Sequence, residues 1–520
     1  MRKITDHIKN LSTPNKISKT RSKVLRSSAI FPCNTNKFLD TKILFMGYWM
    51  IKKNIKKILM NYKLRDQYGK MLISKTTKIN KIKAYSISTK NLLHKYNINE
   101  NFLGSLEVEF LSKEDLVFPF PACVINMDYK GGSSFVHTIG RIYNDKKDFL
   151  ANSKIKVAES GFDIIPNKNF YPFISFVNGR QILKNQLLKI RIINSRNEYF
   201  IKKIDLSTVR PFETKFIQIM NEDEKKFLLN KKGTCIIDHN LSGFYPRFLA
   251  GNYNNKKTKF SVTHSYYDTK KIKENFKNPN KKDFFDATLI VPIFKKKYLT
   301  EISLYPIYSS NNFNLNLELF KNNGEKIFTK KNFFKSKENS LKFININNKI
   351  KEIDLMKFKE NHFIAKISFD SKKSIPTRLK FGLNIISKDK LKAVSSNVCF
   401  NAQAAFKYHL ERKTRFCWTP IVNKNNSKFI IYNSSFVKKG FKKASILMNF
   451  WREKDDKSIS KKMVLNDNGS YLFDLNKNNK IKKFLGSKSG WVTFKSNNPF
   501  IQGYYLETSK EGDVGADHFF

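Results

Sequence analysis

The chain has 520 residues, with 98 Lys plus Arg against 43 Asp plus Glu, and a formal charge of +55. That length has room for three or four domains. The lack of any run of 18 apolar residues excludes a membrane-spanning helix. Five cysteines, Cys33, Cys123, Cys235, Cys399 and Cys417, with no C-x-x-C among them, exclude a disulfide framework and fit thiols in a reducing compartment.

Residues 1–26 are basic and rich in Ser and Thr. They lack the apolar core of a secretory signal and any strand pattern, so a flexible basic tail is expected. Strand patterns then begin with "AIFPC" around Pro32 and continue through "KILFMGYW", "NYKLRDQYG" and "KAYSIST" to "GSLEVEFL", which opens at Gly104. The stretch "SFVHTIGRIYND" closes the series. The same order returns three times. "FDIIP", "FYPFISFV", "KIRIINSRN" and "ETKFIQI" lead to Gly233 and close on "KFSVTHSYYDT". "TLIVP", "LTEISLYPI", "NLELFKNNG" and "LKFININ" lead to Asn361 and close on "AVSSNVCFNAQ". "FCWTP", "KFIIYNSSF", "MNFWREKDD" and "SYLFDLN" lead to Gly490 and close on "GDVGADHFF". Gly104, Gly233, Asn361 and Gly490 are spaced by 129, 128 and 129 residues. Two residues further on stand Leu106, Cys235, Phe363 and Val492, all apolar, and prolines recur loosely at Pro119, Pro246, Pro376 and Pro499.

A fixed period of this length marks a tandem array of domains of common size. Short strands with polar turns at regular spacing read as two-sheet sandwiches. The expected fold is all-β: four tandem seven-stranded β-sandwich repeats at 27–150, 151–278, 279–410 and 411–520, behind the basic tail. The last of these, reading "CWTP", "FIIYNSSF", "ASILMNFW", "SGWVTFKSNNPFIQGYYLET" and "GDVGADHFF", resembles the small β-sandwich family of the sensory rhodopsin transducer. That resemblance implies a sandwich that binds ligands or partners rather than one that catalyses.

Three histidines keep the period: His137 to His264 is 127 residues, and His264 to His518 is 254. They should occupy equivalent places after the last strand of their repeats, with Arg141 near the first and Asp517 beside the third. The alternative is that each simply caps a sheet, inherited by duplication. "HNLSGFYPRFLAGNY" adds Tyr245 and Arg247, and "VTHSYYD" adds Asp268. Arg247 is placed to fork an acidic group, while Tyr245 and His264 donate hydrogen bonds to it. The expected ligand-binding set is therefore Tyr245, Arg247, His264, Asp268, His137, Arg141, His518 and Asp517. No H-x-H, HExxH or Cys/His spacing is present, so no metal and no cofactor is expected. A G-x-S-x-G elbow and a P-loop are also missing, and no catalytic residue stands out.

The charge invites a nucleic-acid reading, but only 14 of the 98 basic residues are arginine, the residue that forks phosphate. Lys, Asn, Ile and Phe share AT-rich codons, so genome composition accounts for the excess, and no specific nucleic-acid partner is expected. The expected function is a non-enzymatic array, cytoplasmic by its lack of a signal, that binds a glycan, a small acidic ligand or a protein partner. The alternatives are a carbohydrate-active enzyme with its site between repeats, and a structural assembly protein of a surface or virion.

Overall fold

The computed structural model describes residues 23–137, 140–143, 157–244, 247–269, 284–306, 313–337, 340–370, 380–388, 393–401, 403–406, 414–423, 426–433 and 443–520. The boundaries expected at 150, 278 and 410, and most of the basic tail, lie outside these residues. The tail's last residues are described: Arg26 already belongs to the first strand, and the Val24 N–H donates to Asp115 Oδ1 at 2.9 Å.

Every sheet draws its strands from one stretch of chain and is antiparallel. The first segment holds β1 (Arg26–Thr35), β2 (Leu39–Met46), β3 (Ile58–Asp66), β4 (Met71–Ile79), β5 (Ala84–Ser88), β6 (Phe102–Leu111), β7 (Val124–Tyr129) and β8 (Gly132–His137). They form sheets β1-β6-β3-β4 and β5-β2-β7-β8. The second holds β9 (Val157–Ser160), β10 (Phe170–Val177), β11 (Leu183–Ile193), β12 (Tyr199–Val209), β13 (Thr214–Gln218), β14 (Thr234–Asp238), β15 (Leu249–Asn254), β16 (Phe260–His264) and β17 (Tyr266–Thr269), in sheets β12-β11-β14-β9-β17 and β13-β10-β15-β16. The third holds β18 (Phe284–Phe294), β19 (Tyr298–Leu304), β20 (Phe313–Phe320), β21 (Lys326–Ser336), β22 (Lys342–Asn345), β23 (His362–Asp370), β24 (Lys380–Ser387), β25 (Val398–Asn401) and β26 (Gln403–Phe406), in sheets β21-β20-β23-β18-β26 and β22-β19-β24-β25. The fourth holds β27 (Arg415–Ile421), β28 (Asn426–Asn433), β29 (Lys443–Arg452), β30 (Ser458–Asn466), β31 (Ser470–Asp474), β32 (Gly490–Ser496), β33 (Ile501–Thr508) and β34 (Val514–His518), in sheets β27-β32-β29-β30 and β31-β28-β33-β34.

Among the described residues the paired strands number eight or nine per segment, where the sequence suggested seven. The ninth strands, β17 and β26, form where the chain leaves its last strand, crosses to the other sheet and pairs with β9 or β18. The first and fourth segments keep a remnant of the same crossing. The Ile30 N–H donates to the Gly140 carbonyl, and Trp418 and Phe520 exchange backbone bonds. "FDIIP" also departs from expectation. The first strand of that segment is Val157–Ser160, and Ile164 makes only an isolated bridge to Gly233.

Burial follows from the pleat. In the first segment Ala29, Phe31 and Cys33 of β1 and Leu106, Val108 and Phe110 of β6 point into one core with Ile43 and Phe45 of β2 and Ile125 and Met127 of β7. Each such side chain contributes roughly 1.5–3 kcal/mol by leaving water. The recurring apolar positions Leu106, Cys235, Phe363 and Val492 are all 0 % exposed. They lie on β6, β14, β23 and β32, which hold the same inner place in their sheets. The glycine before three of them has a steric cause, shown by the first. A Cβ on Gly104 would stand 2.1 Å from the Arg65 carbonyl oxygen.

The segments close on one another in chain order. The Thr214 N–H donates to the Gln67 carbonyl between first and second, and the Ser470 N–H to the Asn322 carbonyl between fourth and third. Asp163 of the second segment is buried against Tyr305, Ser303 and Asn384 of the third. Tyr48 of the first stacks on Trp418 of the fourth at 5.0 Å. No helix among the described residues is long and apolar enough to cross a membrane.

Candidate functional site

The last strands of the segments pack against one another. Ser134 Oγ on β8 accepts from the Val262 N–H on β16 at 2.8 Å. β34 lies so close to β8 that a Cβ on Gly515 would be 2.3 Å from the Ser133 carbonyl oxygen. His137, His264 and His518 are the final residues of β8, β16 and β34, at the point where the chain switches sheets. Equivalent places on strands that converge bring the three imidazoles together. In the third segment Asn401 ends β25 at the matching place.

His137 is the hub. Its Nε2 lies 3.0 Å from His264 Nε2, and its ring centroid is 4.8 Å from that of His518 and 5.4 Å from that of Phe520. Its Nδ1 lies 3.1 Å from Asp517 Oδ2, and its backbone N–H donates to the same oxygen at 2.9 Å. Asp517 Oδ1 accepts from the His518 N–H at 2.8 Å. The outer two histidines repeat one interaction: His264 Nδ1 is 3.0 Å from the Ser265 carbonyl oxygen, and His518 Nδ1 is 2.8 Å from that of Phe519. Both are the carbonyls of the next residue, turned toward the ring by the sheet switch.

The site is largely closed. His264 and Asp517 are 2 % and 3 % exposed, while the His137 side chain keeps 18 %. Burial pulls the basicity of His264 well below the ordinary imidazole range, and the positive charges of Arg247 and His137 add to this. Burial also lowers His137, offset in part by the Asp517 carboxylate. Burial alone would raise Asp517, but the charge and hydrogen bond of His137, together with His518, outweigh it and hold the carboxyl below its usual value. His137 Nδ1 and the Asp517 carboxylate thus form a largely buried pair across the first and fourth segments. His137, Asp517 and His518 each offer a ligand atom within 4.8 Å of the others.

Of the eight residues singled out in the sequence, His137, His264, His518 and Asp517 come together, with Arg247 near enough to act on the first two. Arg141 is buried in the stretch that bridges Ile30 of the first segment to Phe244 of the second, along the seam. Asp268 lies on β17 with its backbone opposite Ala158. Tyr245 lies outside the described residues. The histidine cluster thus spans three segments, whereas the sequence grouped Tyr245, Arg247, His264 and Asp268 within the second. Sequence reasoning missed the Ser265 and Phe519 carbonyls and the Phe520 ring. Their one signal was the recurrence of a short stretch after each histidine.

Four aromatic residues of a type that stacks on sugar faces are instead core. Tyr48, Trp49, Tyr504 and Tyr505 are at most 4 % exposed. The five cysteines are buried and none forms a disulfide. Burial pushes the Cys33 thiol up to about 12 and that of Cys417 to about 11, so neither is a ready nucleophile.

No protein-family model matches the sequence, and no curated protein is similar to it. Among solved structures, one similar chain is described as "Crystal structure of tetra-tandem repeat in extending region of large adhesion protein". It is 7 % identical, over 88 % of this chain and 90 % of that one, with a TM-score of 0.10, too low to carry an argument about either fold or function.

Proposed function

We propose that the protein is a non-enzymatic binding array of four tandem copies of one β-sandwich unit, fused so that their last strands form a common seam. The observation that carries this is the meeting of three period-related histidines, contributed by different segments, with Asp517 and Arg247. A set that exists only in the assembled array points to a role of the whole chain rather than of one unit. The resemblance of the last unit to a ligand-binding sandwich family supports the same reading. The ligand class we favour is an acidic glycan or polysaccharide precursor. Its carboxylate would be forked by Arg247, and its hydroxyls would accept from or donate to the imidazoles at the rim. Because Trp49, Trp418, Trp491, Tyr504 and Tyr505 are buried, recognition would be polar rather than by their stacking on sugar faces.

Isothermal titration of the full chain with uronic-acid oligosaccharides tests this. Binding that Arg247→Ala abolishes, with little change in melting temperature, is expected. Absence of binding, or equal binding by the variant, would overturn the ligand assignment.

A second reading, a carbohydrate-active enzyme with its site between repeats, gains from the Asp517 to His137 pair, which has the form of an oriented general base. The His137 nitrogen that would take a substrate proton faces His264 instead, so binding ranks first. Turnover of aryl glycosides that disappears in His137→Ala would reverse that order.

A further inference from the structure

Sixteen large apolar side chains are exposed among the described residues, and nine of them belong to the first segment. Five of the nine lie at one end of sheet β1-β6-β3-β4 or on the loop that leaves it: Leu25, Leu59, Leu111, Phe118 and Phe120. Backbone pairing fixes their neighbourhood. Leu59, near the start of β3, stands opposite Leu111 at the end of β6, and the Ser112 N–H donates to the Leu25 carbonyl. Directly opposed residues of an antiparallel pair share a face, so Leu59 and Leu111 present one apolar surface. Single apolar residues scattered over a surface need no explanation, but a group of them does.

The loop after Leu111 is built to hold its phenylalanines out. The Leu116 N–H donates to the Val24 carbonyl, the Val24 N–H to Asp115 Oδ1, and the Ser28 N–H to the Pro119 carbonyl. Leu116 is buried in the core of the segment. Between these anchors Val117 takes a φ of 72°, and the Phe118 N–H donates back to the Leu116 carbonyl at 2.9 Å. This is the strained form of the three-residue turn, which a β-branched residue adopts only where its surroundings impose it. Leu116 is buried on one side of the turn and Phe118 is 47 % exposed on the other. Pro119 and Pro121 restrict the backbone on either side of Phe120, and the Phe118 and Phe120 rings lie 6.4 Å apart. Two rings on so stiff a support lose little conformational freedom when something covers them.

Charge identifies the occupant. Lys23, Lys57, Lys78 and Lys113 are exposed around the same residues. Lys78 stands opposite Leu59, while Lys23, Lys57 and Lys113 lie two positions from Leu25, Leu59 and Leu111. Glu114 is the exposed acid of the loop, and Asp115 Oδ1 accepts from the Val24 and Val117 N–H groups. The sequence that runs into Lys23 continues the excess, with six Lys or Arg and one Asp in residues 1–22. A protein groove for two phenylalanines has no need of these cations, and a nucleic acid has no need of exposed leucines. An anionic bilayer takes both, lysines at its head groups and apolar side chains at the acyl boundary.

We propose that this end of the first segment docks on an anionic lipid bilayer, with Phe118 and Phe120 inserted and the lysines against the head groups. A short apolar insertion and a basic surface together give reversible binding where neither suffices alone. This goes beyond the glycan reading and uses none of its residues.

Co-sedimentation of the full-length chain with phosphatidylcholine vesicles, with and without phosphatidylserine, tests the docking. Binding should require phosphatidylserine and weaken with salt. Phe118→Ser combined with Phe120→Ser should lower vesicle affinity by about tenfold or more, the factor that burying one such ring supplies. The melting temperature should hold, because both side chains already face water. Tyr199→Ser, at a similarly exposed aromatic of the second segment, should bind as the wild type does. If the double variant does not fold, Phe118→Trp decides. Its added emission should be quenched by vesicles with brominated acyl chains, and an unquenched signal overturns the insertion. Absence of binding to phosphatidylserine vesicles overturns the proposal in favour of a protein groove. Equal binding by the double variant, or an equal loss in Tyr199→Ser, also overturns it, because charge or another face would then hold the vesicle.

Discussion

His362 shows how a single buried side chain sets a pH dependence in this protein. It opens β23 and lies 5 % exposed between the third and fourth segments, with Nε2 3.1 Å from Ser470 Oγ. Burial lowers it from the ordinary 6.5 to about 4. The folded-state value is depressed, so the unfolded chain takes up a proton first. The stability contributed by neutral His362 is fully present above pH 6.5 and is lost as pH falls toward 4. The ceiling is roughly 3 kcal/mol, from the spacing of the two values. Denaturation at pH 7 and pH 5 should show a loss that His362→Gln reduces. Equal losses in both would remove His362 as the cause. Gly104 is a residue-scale constraint of another kind, since a methyl group there meets the Arg65 carbonyl oxygen at 2.1 Å. Gly104→Ala should cost about 1–3 kcal/mol or more by forcing two paired strands apart. The fluorescence of buried Trp49 in the same core reports it.

At the scale of elements, the inner strands β6, β14, β23 and β32 hold each sandwich together, because each is paired on both sides and faces the opposite sheet. Phe363 on β23 is 0 % exposed among Ile293, Leu317 and Phe381. Phe363→Ala should cost about 3–5 kcal/mol. All four tryptophans belong to the first and fourth segments. Circular dichroism should therefore report the shifted transition more strongly than tryptophan fluorescence. These strands were the most legible part of the sequence. Apolar positions two residues past a recurring glycine must be buried when a strand is paired on both edges and covered by a second sheet. The crossings after the last strands were less legible. Whether Tyr266–Thr269 pairs as a fifth strand, while Gly140 and Phe520 make only local backbone pairs, depends on how long the chain runs beside its partner and not on strand propensity.

At the scale of the whole molecule, the seams are held by buried polar networks that no local pattern announces. Asp163 is 3 % exposed and accepts from the Tyr305 hydroxyl at 2.7 Å, the Ser303 hydroxyl at 3.0 Å and the Asn384 amide at 2.6 Å, with Lys232 at 3.4 Å. Asp163→Ala would leave three donors and a cation without their shared acceptor, at about 3–5 kcal/mol. Hydrogen exchange should quicken on both sides of the seam, in the second and third segments. An effect confined to the second would show that the network does not couple them. The charge also belongs to this scale. Exposed lysines occur in every segment, Lys56, Lys189, Lys335 and Lys457 among them. Scattered lysines without arginine forks should bind nucleic acid only through counterion release, losing several orders of magnitude in affinity by about 200 mM salt. Filter binding at two salt concentrations measures this, and sub-micromolar affinity that persists at the higher one would demand a specific site.

The repeat, the sandwich character and the burial of the strand centres were determined by the sequence alone, because period, pleat and apolar spacing are local properties that each unit satisfies within itself. The sequence also marked His137, His264 and His518 as equivalent. It could not show that they touch. That depends on the last strands packing against one another, where Gly515 admits the Ser133 carbonyl and Ser134 caps the Val262 N–H. Nor could it pair His137 with Asp517, 380 residues away, or turn the Ser265 and Phe519 carbonyls toward their rings. Contacts between units are fixed by surfaces that exist only after each unit has folded, so the chemistry of the seam was decided by tertiary structure.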